Sequence, residues 1–519
     1  MAEDNNKTKS LKVQSAWLLF AKIAGFGFAF VLPLIVVRVL SKEEFGLYRL
    51  SFLIVTNAVA ILPLGISMSA YYYLARDRDK RAAAVLNIVL VHFGVGLLGF
   101  LFLFVFPNVL GAVFGSPEMT RLAPLIGCAI WLWLFSMFLE HVAVANQESK
   151  LATVFIIFAQ FSKTALMVGF VLWFGTVESI IYAAIIQAAI QTAILLIYLT
   201  RRFPGFWKSF DPAFLREHIA YALPFGIAGI LWTLQVDLHY YFVGYRYGEA
   251  ALAVYAVGCF QLPLVAMLAE SVMSVMIPRM SELQLVDDTK EMIRVTARAM
   301  QKLAFAYFPL YVFMMITAET FITTLFTKKY GDSVPIFLIF LTLLPFHIMI
   351  SDPVVRAYEH LGRFLLKIRV FTFLVLVAGL YLGILYLDMR WIIAIVVGIR
   401  IAEMLVVEFV VFRSIGAELS DLKLLSNVLK TGVLSILCGI VTFILYGAVR
   451  GPLGELVAGA ARSFSGASEI IPEFLSGATV LAVCFFVFAV LYLAGSYAAG
   501  TFEESEKQYV RRFLRISNG

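Results

Sequence analysis

The sequence predicts an all-α integral membrane protein of about 14 transmembrane helices: two six-helix lobes, related as parallel repeats around a central cavity, and two further C-terminal helices. Three observations carry this. Hydrophobic residues make up 61% of the 519 and charged residues only 14%, against about half apolar and a quarter charged in a soluble domain. Apolar runs recur along the whole chain, and at roughly 35 residues per span and loop there is room for about 14 of them. Finally, the first half of the chain is echoed in the second.

The polar start MAEDNNKTKSLK leads directly into an apolar run over 14–39. That run has full spanning length and lacks the short apolar core and cleavage site of a signal peptide. Ser41 and Glu44 then have the S-x-x-E spacing of a capping box, and further spans follow at 50–75, 82–107, 121–144, 151–174 and 178–200. The segment 201–217 reads as a linker, with a break at Pro204-Gly205 and Asp211-Pro212 opening an amphipathic stretch along the inner surface. Spans resume at 218–246, 250–279, 302–326, 334–356, 366–388 and 391–413, and those at 430–450 and 475–498 complete the count. The mixed-charge stretch 279–302 is expected to be a surface helix, and 451–474, rich in Gly, Ala and Ser, the longest outer loop. The corresponding domains are 1–200 (N-lobe), 201–217 (linker), 218–413 (C-lobe) and 414–519 (two helices and a cytoplasmic tail).

Orientation follows from the cations. The termini and the loops after even-numbered spans, among them RDRDKR at 76–81, carry almost three times as many Lys and Arg as the loops after odd-numbered spans. Lys and Arg concentrate on the cytoplasmic side, so both ends face the cytoplasm. The same sorting accounts for the net charge of +7 as attraction to anionic membrane lipid, with no nucleic-acid partner implied.

The internal echo sets Tyr48 on Tyr255, Phe114 on Phe326 and Ala145 on Ala357, each at nearly the same offset of about 210 residues and in the same order. Two copies of a six-helix unit follow, and because six is even the copies share one orientation in the membrane.

A charge near mid-bilayer costs about 2.5–3.5 kcal/mol on insertion scales, so each must pair or face water. Asp237 lies too deep for a short side chain to reach the interface, on a helical stripe with Gly226, Thr233, Tyr240, Tyr241 and Gly244. It either lines a cavity or forms a buried pair. Glu270, with Ser271 and Ser274 extending its polar face, either lines a cavity or binds a coupling ion, or hydrogen-bonds a neighbouring helix. Lys22, whose face continues through Gly25, Ala29 and Pro33, is long enough to reach the inner interface. Lys163, Asp352, Arg400 and Glu403 are minor candidates; the last two stand three apart and can neutralise each other. Asp352 precedes Pro353, where it can satisfy backbone freed by a break. Prolines within spans (Pro33, Pro63, Pro224, Pro263, Pro345) predict kinks.

Cys128, Cys259, Cys438 and Cys484 all fall within spans, which implies no disulfide framework. The six histidines lack metal-ligand spacing, and neither a phosphate-binding glycine loop nor a nucleophile triad is found. No enzyme, metal or cofactor is expected.

The stretches RVLSKEEFGLYRL (38–50), REHIAYALPFGIAGILWTLQVDLHYYFVGYRYGEAALAVYAVG (216–258) and ITAETFITTLFTKKYGDSVPIFLIF (316–340) resemble the polysaccharide-transporter branch of the multidrug/oligosaccharidyl-lipid/polysaccharide (MOP) exporter superfamily, the Wzx-type flippases. The likeness runs through the first twelve spans. The lipid II flippase branch is less similar, since its proline-rich hydrophilic motifs around the second helix are not found. The resemblance implies alternating access that moves a polyprenyl-pyrophosphate-linked oligosaccharide across a bacterial cytoplasmic membrane for cell-surface polysaccharide synthesis, with other polysaccharide assembly proteins as possible partners. It also implies a first helix that lines the cavity, where Lys22 would meet pyrophosphate; Asp237, Tyr240, Tyr241, Glu270 and Ser274 would complete the lining, and Asp237 and Glu270 are possible coupling-ion residues. Two rivals remain: a cation-coupled multidrug exporter, which Asp237 and Glu270 fit and Lys22 does not, and a membrane polysaccharide polymerase or assembly scaffold.

Overall fold

The structure is a computed structural model that describes the backbone of residues 2–76, 80–465 and 470–501, with the side chains of 2–16, 18, 19, 22, 75, 76, 225, 464, 465 and 470 left undescribed. The expected cytoplasmic tail beyond 501, much of RDRDKR and the side chain of Lys22 therefore lie outside the described residues. All regular structure among the described residues is helical. The chain forms two compact units, 1–256 and 257–519.

The first unit holds α1 (Ala2–Val39), α2 (Lys42–Ile61), α3 (Ala70–Arg76), α4 (Arg81–Val105), α5 (Asn108–Phe114), α6 (Pro117–Ala145), α7 (Ser149–Phe174), α8 (Val177–Arg202) and nearly all of α9 (Pro212–Gly258). The capping box forms: Ser41 Oγ accepts from the Glu44 amide at 3.1 Å, and Glu44 accepts from the Ser41 amide at 2.9 Å. Two otherwise orphaned amides are thus satisfied where α2 begins.

The predicted span 50–75 needs correction, because α2 starts earlier and is interrupted. Pro63 lacks an amide proton, Leu64 and Gly65 have φ of 49° and 77°, and a short 3-10 turn (Ile66–Ser69) leads into α3. A proline followed by left-handed residues ends a helix rather than kinking it. The break packs on α9: a Cβ added at Gly226 would lie 2.2 Å from the Leu64 carbonyl. Ser67 bonds the His92 ring at 2.9 Å, and Ser69 bonds that of His218. Around it Tyr73, Leu74, Ile88, Phe138, Val142 and Leu199 form a core of α3, α4, α6 and α8.

In the linker, Asp211 accepts from the amides of Ala213 (2.9 Å) and Phe214 (3.2 Å). This cap begins α9 itself, so the expected inner-surface stretch is the first part of that helix. Gly248, at φ 80°, interrupts α9 near its end.

The second unit holds α10 (Pro263–Leu285), α11 (Thr289–Phe326), α12 (Val334–Leu341), α13 (Asp352–Ala357), α14 (Glu359–Tyr386), α15 (Met389–Ser414), α16 (Ser426–Ser465) and α17 (Ile470–Ala498). Three expectations are corrected here. The span 250–279 is broken before Pro263, where 260–262 are non-helical. The span 334–356 is a chain of short pieces: α12, a 3-10 turn (Leu344–Ile348), extended backbone at Met349, and α13. The surface helix at 279–302 does not exist as a separate element. Instead α10 runs to Leu285, Asp287 turns the chain at φ 54°, and Asp288 caps α11 by accepting from the Glu291 amide at 3.0 Å.

The outer loop is also overturned. α16 has 40 residues, about 60 Å at 1.5 Å per residue, or twice the hydrocarbon thickness. Most of 451–474 therefore continues α16 and opens α17. Packing outweighs the poor helix propensity of its glycines: Ser476 Oγ donates to the Gly454 carbonyl at 2.9 Å, and Gly477 lies too close to Thr324 for any Cβ. Cys438, Tyr446, Val480, Cys484, Phe488 and Tyr492 bury against Phe313 of α11. The bidentate pair Arg450–Glu319, at 2.6 and 2.8 Å, joins α16 to α11.

Twelve helical segments among the described residues are long and apolar enough to span a membrane. Of the other two predicted spans, the described apolar part of α1 is Ile23–Val39, and α15 has spanning length but carries Arg390, Arg400, Glu403, Glu408 and Arg413. The chain is a multi-pass integral membrane protein. The sequence echo predicts that α9 opens the second lobe, whereas nearly all of it lies in the first compact unit.

Candidate functional site

The seam between α2 and α9 gathers one group of polar side chains in the first unit. Asp237 lies ten residues before the end of the unbroken part of α9, about 15 Å along the axis. The Asn57 side chain of α2 donates to the Tyr241 hydroxyl at 3.0 Å and also hydrogen-bonds Asp237, which feels the charge of Arg49. The Arg49 guanidinium stands 6.0 Å from the centre of the Tyr240 ring, within reach of a cation–π attraction. Behind them Tyr255 bonds the His239 ring at 2.8 Å, and Tyr241 stacks on Phe114. One carboxylate, one guanidinium, one amide and two phenols thus share a patch of a spanning helix pair.

The glycines of the α9 stripe have a different job from its polar residues. Gly226 meets the Leu64 backbone, and a Cβ at Gly244 would touch Leu252 and Leu50 at 3.4 and 3.8 Å. Further out, a Cβ at Gly46 would fall 1.9 Å from the Glu249 carbonyl oxygen. Glycine lets α2 and the end of α9 meet backbone to backbone, which brings the charged turn at 41–49 onto its sequence echo.

The remaining candidates are dispersed. Lys163 on α7 lies 5.6 Å from the Trp133 ring centre. Glu270 and Ser274 are exposed on α10, where Ser274 donates to the Ser271 carbonyl at 2.8 Å. Arg400 and Glu403 do pair, at 3.0 Å, and Glu403 also accepts from Thr372 at 2.7 Å. Asp352 binds Arg356 one turn on, at 2.6 Å, so its carboxylate answers a cation rather than freed backbone.

Asn57 and Arg49 were missed as site residues. Asn57 is the lone amide in the apolar run LIVTNAVA, a usable signal; Arg49 carries no such signal, because the residues it meets are far away in sequence. A separate cavity of about 550 Å3 opens where α2, α6 and α8 meet at one end of this unit, lined by Glu44, Glu118, Thr176 and the ion pair Arg121–Glu178 among others. None of the sequence-predicted residues lines it.

Against known families, residues 35–335 match the model of the polysaccharide biosynthesis proteins, more than half of the chain and all of the α2–α9 seam. The chain belongs to the polysaccharide biosynthesis protein family. No curated protein sequence matches it. Among solved structures it is similar to the lipid II flippase MurJ in an inward closed conformation, at TM-score 0.66 and 14% identity over 93% of this chain and 98% of the other. It is also similar to an inward-facing multidrug resistance MATE transporter of the MOP superfamily, at 0.60 and 16% over 77% and 95%, and to a MOP transporter from Pyrococcus furiosus at 0.54 and 15% over 78% and 95%. The polysaccharide biosynthesis family member described here is thus a polytopic membrane protein with the fold of the MOP transporter superfamily.

Proposed function

We propose that this polysaccharide biosynthesis protein is a flippase that carries a polyprenyl-pyrophosphate-linked oligosaccharide across a bacterial cytoplasmic membrane by alternating access. The observation that carries this reading is the α2–α9 patch, in which Arg49, Asn57, Asp237, Tyr240 and Tyr241 line up inside a stretch matched to a family named for polysaccharide biosynthesis. A sugar pyrophosphate cannot enter hydrocarbon without partners for its hydroxyls and charge. Amide and phenol groups suit the sugar hydroxyls, aromatic faces suit the sugar ring, and a guanidinium suits a phosphate oxygen pair. Asp237 attracts Arg49 through its charge while the site is empty and competes with an incoming anion for it, so binding would remain reversible. Fold similarity over nearly the whole length of a lipid II flippase supports the reading.

The purified protein in nanodiscs should bind fluorescent polyprenyl-pyrophosphate oligosaccharide, and Arg49→Gln should weaken that binding about tenfold or more, the loss expected for a charged hydrogen-bonding partner. Equal affinity in wild type and variant would remove Arg49, and with it the pyrophosphate contact, from the proposal.

A further inference from the structure

Glu408 on α15 is a carboxyl group without a counterpart. It is 6% exposed, and neither oxygen has a hydrogen-bond partner among the described residues. No charged group is seen to act on Glu408: on neighbouring elements Arg400 pairs with Glu403 on the same helix and Asp352 with Arg356 on α13, while His347 of the 3-10 turn and Arg369 of α14 face the like charge of Arg400.

Among the described residues the polar group that acts on Glu408 is the Ser351 hydroxyl, close by but outside strict hydrogen-bond geometry. Ser351 is itself unusual. It stands at the N-cap of α13 without forming a side-chain cap, and Pro353 two residues on has no amide to offer. It also ends the extended stretch at Met349 where the 334–357 segment is broken.

An ionised carboxylate buried this way, with no cation and no N–H donor, costs several kcal/mol; the neutral acid avoids most of that and gains a donor. One carboxyl and one hydroxyl are too few ligands for a metal cation, and among the described residues no group of three or more acidic, His or Cys side chains could hold one. A proton is the ligand that fits.

We propose that Glu408 and Ser351 form a proton-binding site at the break before α13. The proton is bound while the break is closed, as here, and deprotonation leaves a carboxylate that only water entering at 349–351 can solvate, which opens the break. Because broken helices are where transporters place coupling sites, the protein's conformation depends on pH through this segment. The site does not depend on which substrate is carried.

The test uses the full-length protein in nanodiscs and dicyclohexylcarbodiimide, an apolar reagent for protonated carboxyls, with the labelled residue mapped by mass spectrometry. Between about pH 5 and pH 9, a window that brackets shifted carboxyl groups, Glu408 should label at the acid end and lose the label at the alkaline end, while ion-paired Glu403 stays unlabelled. Over the same range, hydrogen exchange of the 349–357 peptide, corrected for its intrinsic pH dependence, should speed up in the wild type and not in Glu408→Gln. Absence of label at every pH would mean that the group is a paired carboxylate; constant label would mean a permanent structural acid. Either overturns the proposal, and since wild-type mapping needs no variant, a failure of Glu408→Gln to fold leaves the test standing.

Discussion

Gly46→Ala is the sharpest probe of the α2–α9 seam. Alanine at an ordinary helical position is worth about 0.5–1 kcal/mol over glycine, so the default expectation is stabilisation. At Gly46 the new Cβ would lie 1.9 Å from the Glu249 carbonyl oxygen and 2.5 Å from its carbon. Both are backbone atoms and cannot rotate aside, so α2 and the end of α9 must separate by about 1 Å or more, at the 1–3 kcal/mol typical of overpacking. The clash therefore outweighs the propensity gain, and the closed seam should become about 5- to 150-fold less populated relative to any open form. Cross-linking between Leu50→Cys and Gly244→Cys with a short bifunctional reagent reads this directly, since the Leu50 side chain reaches Gly244, its Cδ1 lying 3.8 Å from where a Cβ would stand. Gly169→Ala is the control, because nothing lies within 4 Å of its added Cβ. Cross-linking should fall with Gly46→Ala and hold with Gly169→Ala; equal rates in the two would refute the close approach.

Ser41→Ala should cost about 1 kcal/mol through loss of the cap on α2, seen as a small drop in thermal midpoint that Ser41→Asp reverses. Glu403→Gln removes the carboxylate that faces part-buried Arg400 and should destabilise by up to about 3 kcal/mol, with Arg400→Met/Glu403→Leu recovering much of the loss in the same melting assay. Leu456→Cys, on the outer extension of α16, should react with impermeant maleimide in intact cells, and Ser281→Cys on α10 only after permeabilisation; the reverse pattern would invert the topology.

Much of this was legible because it is local. The capping box needs only Ser41 and Glu44, and the spans need only length and apolarity. The breaks were harder. Pro33, Pro63, Pro224, Pro263 and Pro345 look alike in sequence, yet Pro33 and Pro224 stay inside continuous helices while the other three border interruptions. For Pro63 the difference is made by Gly65, free to take a left-handed turn, and by Gly226, about 160 residues away, which lets α9 hold the break in place. The continuation of α16 through a glycine-rich stretch is likewise decided by partners, Ser476 and Thr324, that composition does not reveal. In the site, Asp237, Tyr240 and Tyr241 were visible as one helical face; Asn57 and Arg49 join them only through tertiary contact.

Proteoliposome transport tests the central claim most directly. Fluorescent polyprenyl-pyrophosphate oligosaccharide is placed in both leaflets and the outer pool is quenched by an impermeant reductant. Wild-type protein should render nearly all of the probe accessible with time, and Asp237→Ala, equally well folded and inserted, should slow that exchange at least tenfold. Wild-type liposomes that exchange no faster than protein-free ones would contradict the flippase account.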